Sequence, residues 1–430
     1  MELKEYARSV LSKEISSEFA SKVDDIPEDG FLENLTGLAG EEIARRVLEA
    51  YEKDNVYEPR EDSFLMQRCI KEYAHGRVLD MGTGSGVLAK EAAKYADEVE
   101  AVDINPFCIR QEHDKIKFYE SDLFSNVKGK FDLIIFNPPY LPFDDDIKNE
   151  IAHALYGGKH GHETAVKFID DACSHLKEGG RILLLFTTVA DISEIEAAFE
   201  RNMLEYCRVK SEKHFCEEMV VFLAERSGLR RSIEYGGFSD LRFFAQGKRG
   251  CVYKASYDGK DAAVKVKRGS SEAINRIQNE AYWLKRLNEH GLGSQLLGYG
   301  EGYVAYEFVH GEFIEDYVKK NAKGDVLRVL KDIMQQCRTL DKIGANKEEM
   351  HRPIKNIIIG ERPVLIDFER CRIAKRPKNV TQFCQFCASA LKRRLEEKGI
   401  ILDESLLEMA NEYKKDLAET SFEKIISVFD

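Results

Sequence analysis

Between residues 77 and 223 the chain alternates short apolar runs with amphipathic stretches, and this alternation constrains its fold more tightly than any other feature. The runs cover 78–80, 99–103, 116–119, 133–136 and 182–186, with helical stretches near 86–95, 163–176 and 191–203 separating several of them. Apolar strands separated by helices predict a parallel sheet with helices on both faces. A last pair of runs, 205–209 and 219–223, predicts a closing antiparallel hairpin. The expected class for this part of the chain is α/β.

The remainder reads differently. With 430 residues, and ~100–200 residues per domain, two or three domains are expected. Residues 1–55 read as a helical extension, with Ile43, Val47, Leu48 and Tyr51 at helical spacing, and are expected to cap the sheet. The α/β domain is assigned to 56–226. A polar stretch with Gly228, Gly236 and Gly237 marks a linker over 227–237. Beyond it, β-like stretches at 242–245, 251–255 and 262–267 precede a long helix over 271–290. Two more strands follow, then mostly helices, as in an α+β unit covering 238–430.

Charge and cysteine usage narrow the partners. A net charge of −12 disfavours nucleic acid and anionic membranes, because phosphate contacts need clustered Lys and Arg. The N-terminus is charged, and no apolar run approaches the ~18–20 residues of a membrane span. Ten cysteines without a regular framework fit a cytoplasmic chain with reduced thiols. Cys384 and Cys387 form one C-x-x-C, and one pair without a second is weak support for zinc.

Four strand ends carry chemistry. Asp80-Met81-Gly82-Thr83-Gly84-Ser85-Gly86 leads from the first strand through a glycine turn that lets the backbone approach a ligand. It lacks the lysine of a phosphate-binding loop. Asp103, ending the second strand, can accept both hydroxyl protons of a ribose. After the third strand, Asp122 can accept from an adenine amino group while Leu123 or Phe124 packs on the ring. The fourth ends in Asn137-Pro138-Pro139-Tyr140. Proline removes backbone donors. The Pro138 carbonyl and the Asn137 side-chain oxygen therefore suit a planar –NH2, and Tyr140 can pack on its face. Together these ends predict a site for S-adenosylmethionine beside a planar amine or amide. Amide and nucleobase amine both remain open on this chemistry.

The residues carry a family resemblance. Residues 56–224 resemble the HemK-type protein glutamine methyltransferases, in their archaeal and eukaryotic release-factor branch. The matching pieces are Tyr57-Glu58-Pro59-Arg60-Glu61-Asp62-Ser63-Phe64-Leu65, the glycine turn, the Asn-Pro-Pro-Tyr, and Ala154-Leu155-Tyr156-Gly157-Gly158-Lys159-His160-Gly161. The resemblance implies a Rossmann-like class I methyltransferase domain, with Glu61 in the segment covering the methyl donor. It implies methylation of the glutamine of a release factor's Gly-Gly-Gln loop, and a small zinc-binding activator as partner. The alternatives are an adenine or guanine amino-methyltransferase, and a release-factor- or ribosome-associated scaffold.

Residues 238–430 resemble a small archaeal protein-kinase-like family related to the RIO and Bud32 kinases. Ala245-Gln246-Gly247-Lys248-Arg249-Gly250-Cys251-Val252 stands for the glycine-rich loop, and Lys265 for the phosphate-contacting lysine. Glu280 is its helical partner, and Glu307 lies in the hinge that reads adenine. Lys375-Arg376-Pro377-Lys378-Asn379-Val380-Thr381-Gln382 also fits. The resemblance implies ATP, with Asn356 and Asp367 as magnesium ligands. Two positions depart from the pattern. His351 stands where the catalytic aspartate belongs, with Glu348, Glu349 and Asp341 as other candidate bases. Glu369 replaces the glycine after Asp367-Phe368. A pseudokinase scaffold is the rival reading.

Overall fold

The computed structural model describes residues 3–14, 20–27, 31–54, 56–143, 155–214, 217–247, 250–267, 271–402 and 404–429. Ala154, Lys248 and Arg249 of the motifs above lie outside the described residues. The chain divides into two compact units, Met1–Arg230 and Arg231–Asp430. The division falls inside a helix, Gly228–Tyr235, where the sequence suggested a linker. Among the described residues no helix is long and apolar enough to cross a membrane.

The first unit is built on a seven-stranded sheet in the order β3-β2-β1-β4-β5-β7-β6. Its strands are β1 (Arg77–Met81), β2 (Glu98–Asp103), β3 (Ile116–Glu120), β4 (Phe131–Phe136), β5 (Leu176–Thr187), β6 (Leu204–His214) and β7 (Glu217–Arg226). The first five run parallel, and β7 pairs antiparallel with β5 and β6. The expected hairpin is present.

Side chains alternate across a strand, and the parity of the apolar runs fills both faces. Leu79, Met81, Ile134, Phe136, Ile182, Leu184 and Phe186 pack with helices Glu163–Ala172 and Ile192–Arg201. Val78, Leu133, Ile135, Leu183 and Leu185 pack with helices Glu61–Tyr73 and Val87–Ala92. This is why the strands read as continuous apolar runs. The strand order reverses beside β1, and the carboxyl ends of β1 and β4 open a crevice there.

The N-terminal extension corrects an expectation. Among the described residues, the buried apolar side chains of helices Leu3–Glu14, Phe31–Ala39 and Glu41–Asp54 belong to a cluster separate from those of the sheet. Ala7, Leu11, Val23, Phe31, Leu35 and Val47 bury one another in a small core of their own.

The second unit opens with a five-stranded antiparallel sheet, ordered β11-β12-β10-β9-β8. These are β8 (Phe238–Gln246), β9 (Gly250–Tyr257), β10 (Lys260–Lys267), β11 (Leu296–Gly300) and β12 (Tyr303–Glu307). Helix Ser271–Asn288 connects β10 to β11, and its Ile277, Ala281 and Leu284 share one core with Val304. Helices Lys323–Lys342, Asn379–Ala388, Ser405–Asp416 and Glu419–Ile426 complete this core. Cys384 and Cys387 are wholly buried in it beside apolar neighbours, and burial raises their thiol pKa values. Buried protonated thiols are poor zinc ligands.

Candidate functional site

The strand ends of the first unit open into one cavity of about 1240 Å³. The glycine turn forms its floor. Gly82 and Gly84 have φ of +61° and +53°, a region that side-chain-bearing residues avoid. The turn is tied at both sides: Thr83 N donates to Val102 O at 2.9 Å, and Gly84 N to Asp103 Oδ2 at 2.9 Å. Asp103 Oδ1 accepts from Asn105 N at 2.9 Å. Burial pushes the Asp103 pKa up despite these bonds. Asp103, Asp122 and Leu123 all face the cavity. Asp122 is exposed on the rim, with Lys167 Nζ 3.7 Å away. Leu123 takes the left-handed conformation at φ +47°. Phe124 is turned inward, stacked on Phe168 and His175, and does not line the cavity.

Two expected donor-binding residues, Asp80 and Gly86, do not line the cavity. Asp80 is fully buried and absent from the lining. Its Oδ2 accepts from Thr83 Oγ1 at 2.6 Å and Ala89 N at 3.0 Å, so it shapes the loop and the start of the next helix. Burial raises its pKa to about 7. Gly86, at φ +74°, also lies outside the lining. Glu61 does line the cavity, but as an exposed residue.

The residue the sequence reading missed is Glu61's neighbour. Asp62 is 3% exposed at the first turn of helix Glu61–Tyr73. Its Oδ1 accepts from Ser63 N at 2.6 Å. Its Oδ2 faces three donors: Asn137 Nδ2 at 3.1 Å, Tyr57 OH at 3.3 Å and Tyr140 OH at 3.3 Å. One signal was available. Asp62, Leu65, Met66, Cys69 and Ile70 form a single buried stripe at helical spacing, and a carboxylate on such a stripe needs partners.

These contacts orient the acceptor turn. An ionised carboxylate only accepts, so the Asn137 amide must point its –NH2 at Asp62. Its Oδ1 then faces away and is buried without a hydrogen-bond partner among the described residues. Burial, then the Asp62 charge, raises the pKa of the Tyr140 phenol, which stays neutral as a donor. Pro138 and Tyr140 line the cavity beside Asn137. The segment around Gly157 supports them from below: Leu141 N donates to Leu155 O at 2.9 Å, and Gly157 N to Leu141 O at 3.0 Å. Glu217, another lining residue, accepts from Thr187 Oγ1 at its Oε2 over 2.7 Å. Among the described residues the cavity lining carries five carboxylates (Glu61, Asp62, Asp103, Asp122, Glu217) against one cation, Arg60. Such a field favours a sulfonium cation and opposes a polyphosphate strand.

The second unit gathers another set. Val252 faces Lys265 in register across β9 and β10. Lys265 Nζ lies 2.8 Å from Glu280 Oε2 and 2.8 Å from Asp367 Oδ1, and Asn356 Nδ2 lies 3.5 Å from Asp367 Oδ2. Gly247 and Gly250 close the β8–β9 turn, Gly247 N donating to Gly250 O at 2.9 Å. Glu307, in the stretch read as a hinge, ends β12. Its N donates to Gln295 O at 2.8 Å and its carbonyl accepts from Ser294 Oγ. Asp341 serves the frame rather than chemistry, its carboxylate accepting from Asn379 N, Val380 N and Tyr413 OH. His351, Glu348 and Glu349 line a separate concavity with Arg370, Arg372 and Lys375. His351 is exposed, its Nδ1 bonded to Glu348 O at 3.0 Å.

The sheet order and this cavity are those of a class I methyltransferase fold. Residues 61–216 match the methyltransferase small domain family. A Methanocaldococcus jannaschii protein, provisionally named a protein N5-glutamine methyltransferase, is 40% identical over 149 residues, 32% of this chain and 76% of that protein. A Clostridium acetobutylicum release factor glutamine methyltransferase is 31% identical over 210 residues, 42% of this chain and 72% of that protein. The E. cuniculi complex responsible for methylating the eRF1 termination factor includes a similar chain, with 26% identity, a TM-score of 0.34, and 40% of this chain and 99% of that one covered. The chain belongs to the protein glutamine N5-methyltransferase family and takes its methyl group from S-adenosylmethionine.

Proposed function

We propose that the first unit methylates the side-chain amide nitrogen of a glutamine in a translation release factor. The buried, unpartnered Asn137 Oδ1 carries this reading. It is an acceptor waiting for a donor, and an amide –NH2 brings two. Asn137 Oδ1 and the Pro138 carbonyl take those two hydrogens and set the nitrogen in plane. Tyr140, braced on Asp62, covers the face of the group. Asp103 holds the ribose hydroxyls of the donor, and Leu123 with Asp122 holds its adenine. When bound, S-adenosylmethionine supplies an electrophilic methyl on a sulfonium. An amide nitrogen is a weak nucleophile, so alignment supplies much of the rate. The acceptors also stabilise positive charge developing on that nitrogen, which then loses one proton to solvent. The acidic cavity wall favours a protein acceptor over a nucleic acid. The release-factor branch brings with it a small zinc-binding activator as expected partner.

Mass spectrometry of release factor after incubation with the protein, the activator and methyl donor tests this. Asn137→Ala should lose most turnover and keep donor affinity. Label appearing only in RNA or DNA, or full turnover by the variant, overturns the reading.

For the second unit we infer a kinase-like nucleotide site, with Lys265 on the phosphates and Asp367 and Asn356 toward magnesium. The Lys265–Glu280 pair supports it. Burial alone would lower the Lys265 pKa, but Glu280 and Asp367 hold it well above the usual value, so the cation persists. Radiolabelled ATP with wild type and Lys265→Met decides. Equal incorporation by both removes the assignment.

A further inference from the structure

Lys265 faces three carboxylates, and the third is the anomaly. Glu369 Oε2 lies 3.1 Å from its Nζ, beyond the two contacts at 2.8 Å to Glu280 and Asp367. Glu369 stands where the kinase-like pattern has glycine, so nothing in the proposed phosphoryl chemistry accounts for it.

It is also built in. Its side chain is 11% exposed, and Arg276 Nη1 is 3.8 Å from its other oxygen. Asn279 Nδ2 donates to the carbonyls of Glu369 at 3.0 Å and Cys371 at 2.9 Å, fastening this stretch to helix Ser271–Asn288. Phe368 N donates to Glu280 Oε1 at 3.3 Å. From the other side the wholly buried Lys347 donates to the Asp367 carbonyl and lies 4.8 Å from the Phe368 ring centroid. Asp367 itself sits at φ +63°. A turn gripped from both sides delivers the Glu369 carboxylate to Lys265 by design of the fold, rather than by chance at a surface.

An ammonium has three N–H donors and no more. Two are spent in hydrogen bonds to Glu280 and Asp367, and the Glu369 carboxylate pairs with the same cation at 3.1 Å. A phosphate oxygen approaching this cation competes with the carboxylates already paired to it, and Glu369 makes the longest of the three contacts. Like-charge repulsion adds to the cost, since a carboxylate and a phosphate would crowd the same cation in a partly dry site.

We propose that Glu369 is an internal competitor for phosphate, occupying the anion position on Lys265 until a nucleotide displaces it. The proposal rests on the nucleotide-site reading of this unit. It makes the site self-closed at rest, with occupancy set by competition between one glutamate and the polyphosphate of the ligand.

The test is equilibrium binding of magnesium-ATP to the full chain as wild type, Glu369→Gln, Glu369→Gly and Lys265→Met. Glutamine keeps the shape of glutamate but not its charge. Loss of one charge-assisted contact of competition should tighten binding about tenfold. Glycine should do the same. In a Lys265→Met background the Glu369→Gln change should have no effect, because the competitor acts through that lysine. A glutamate that only props the turn predicts no such dependence. Thermal melting confirms that each variant is folded, and either folded Glu369 variant suffices as readout. Wild type that binds, with both variants equal or weaker, overturns the proposal. Absence of binding by wild type and both variants at millimolar magnesium-ATP overturns the nucleotide reading itself, and the competitor with it.

Discussion

Replacing Asp62 with asparagine should cripple methyl transfer while sparing the methyl donor. The change is isosteric and removes one charge. In the native site Asp62 Oδ2 faces the Asn137, Tyr57 and Tyr140 donors, and Oδ1 takes Ser63 N. An asparagine must turn its own –NH2 toward one side or the other. Toward Ser63 it meets a backbone donor at 2.6 Å. Toward Asn137 it meets three donors and drives the Asn137 amide to flip. A flipped Asn137 offers –NH2 to a substrate that also offers –NH2, so the acceptor is lost where charge develops. A hydrogen bond to a charged group contributes about 1.5–3 kcal/mol, and each ~1.4 kcal/mol is tenfold in rate. The expected loss in kcat/KM is therefore roughly 10- to 150-fold, carried mainly by kcat. The assay is transfer of labelled methyl to release factor, with calorimetry of S-adenosylmethionine binding alongside. Donor affinity should change by less than about threefold, because Asp62 acts on the acceptor side. Turnover within twofold of wild type, or an equal loss in donor binding, would refute the argument.

Other expectations follow from the same geometry. Asp80 has a folded pKa raised from 3.8 to about 7 by burial. The folded state then binds the proton more tightly than the unfolded one, so Asp80 destabilises increasingly as pH rises from about 4 to 7, and the loss is complete above. The ceiling is roughly 4 kcal/mol. Asp80→Asn keeps an oxygen for Thr83 and Ala89, and urea unfolding should show a flatter pH profile and higher stability at pH 8. A variant no more stable than wild type at pH 8 would count against this. Gly157→Ala should disrupt the acceptor turn, because a Cβ there meets the carbonyls of Pro139 and Gly161. Overpacking of this kind costs about 1–3 kcal/mol. Lower melting temperature with lost turnover is expected, and an unaffected melt would show that the segment yields.

What could be read from sequence was whatever depends on local backbone geometry. Strand parity is a period of two along the chain, so the apolar runs declared both faces of the sheet and its closing hairpin. Asn137-Pro138-Pro139-Tyr140 declared an acceptor site because proline's missing donor and asparagine's oxygen are properties of the residues themselves. Tertiary structure decided which way that asparagine points. Its partner Asp62 lies 75 residues earlier, and no local pattern states that the two meet. The same holds for Asp80 and Gly86, which have the spacing of ligand residues yet do not line the cavity. It holds for the described residues of 1–55, where the apolar spacing was legible and the buried side chains pack on one another. It holds for Glu369 on Lys265, where a departure from pattern could be seen but not its target. Periodicity follows from how a backbone repeats. The direction of an amide or the capture of a charge follows from donors and acceptors that only the closed fold brings within 3 Å or so of each other.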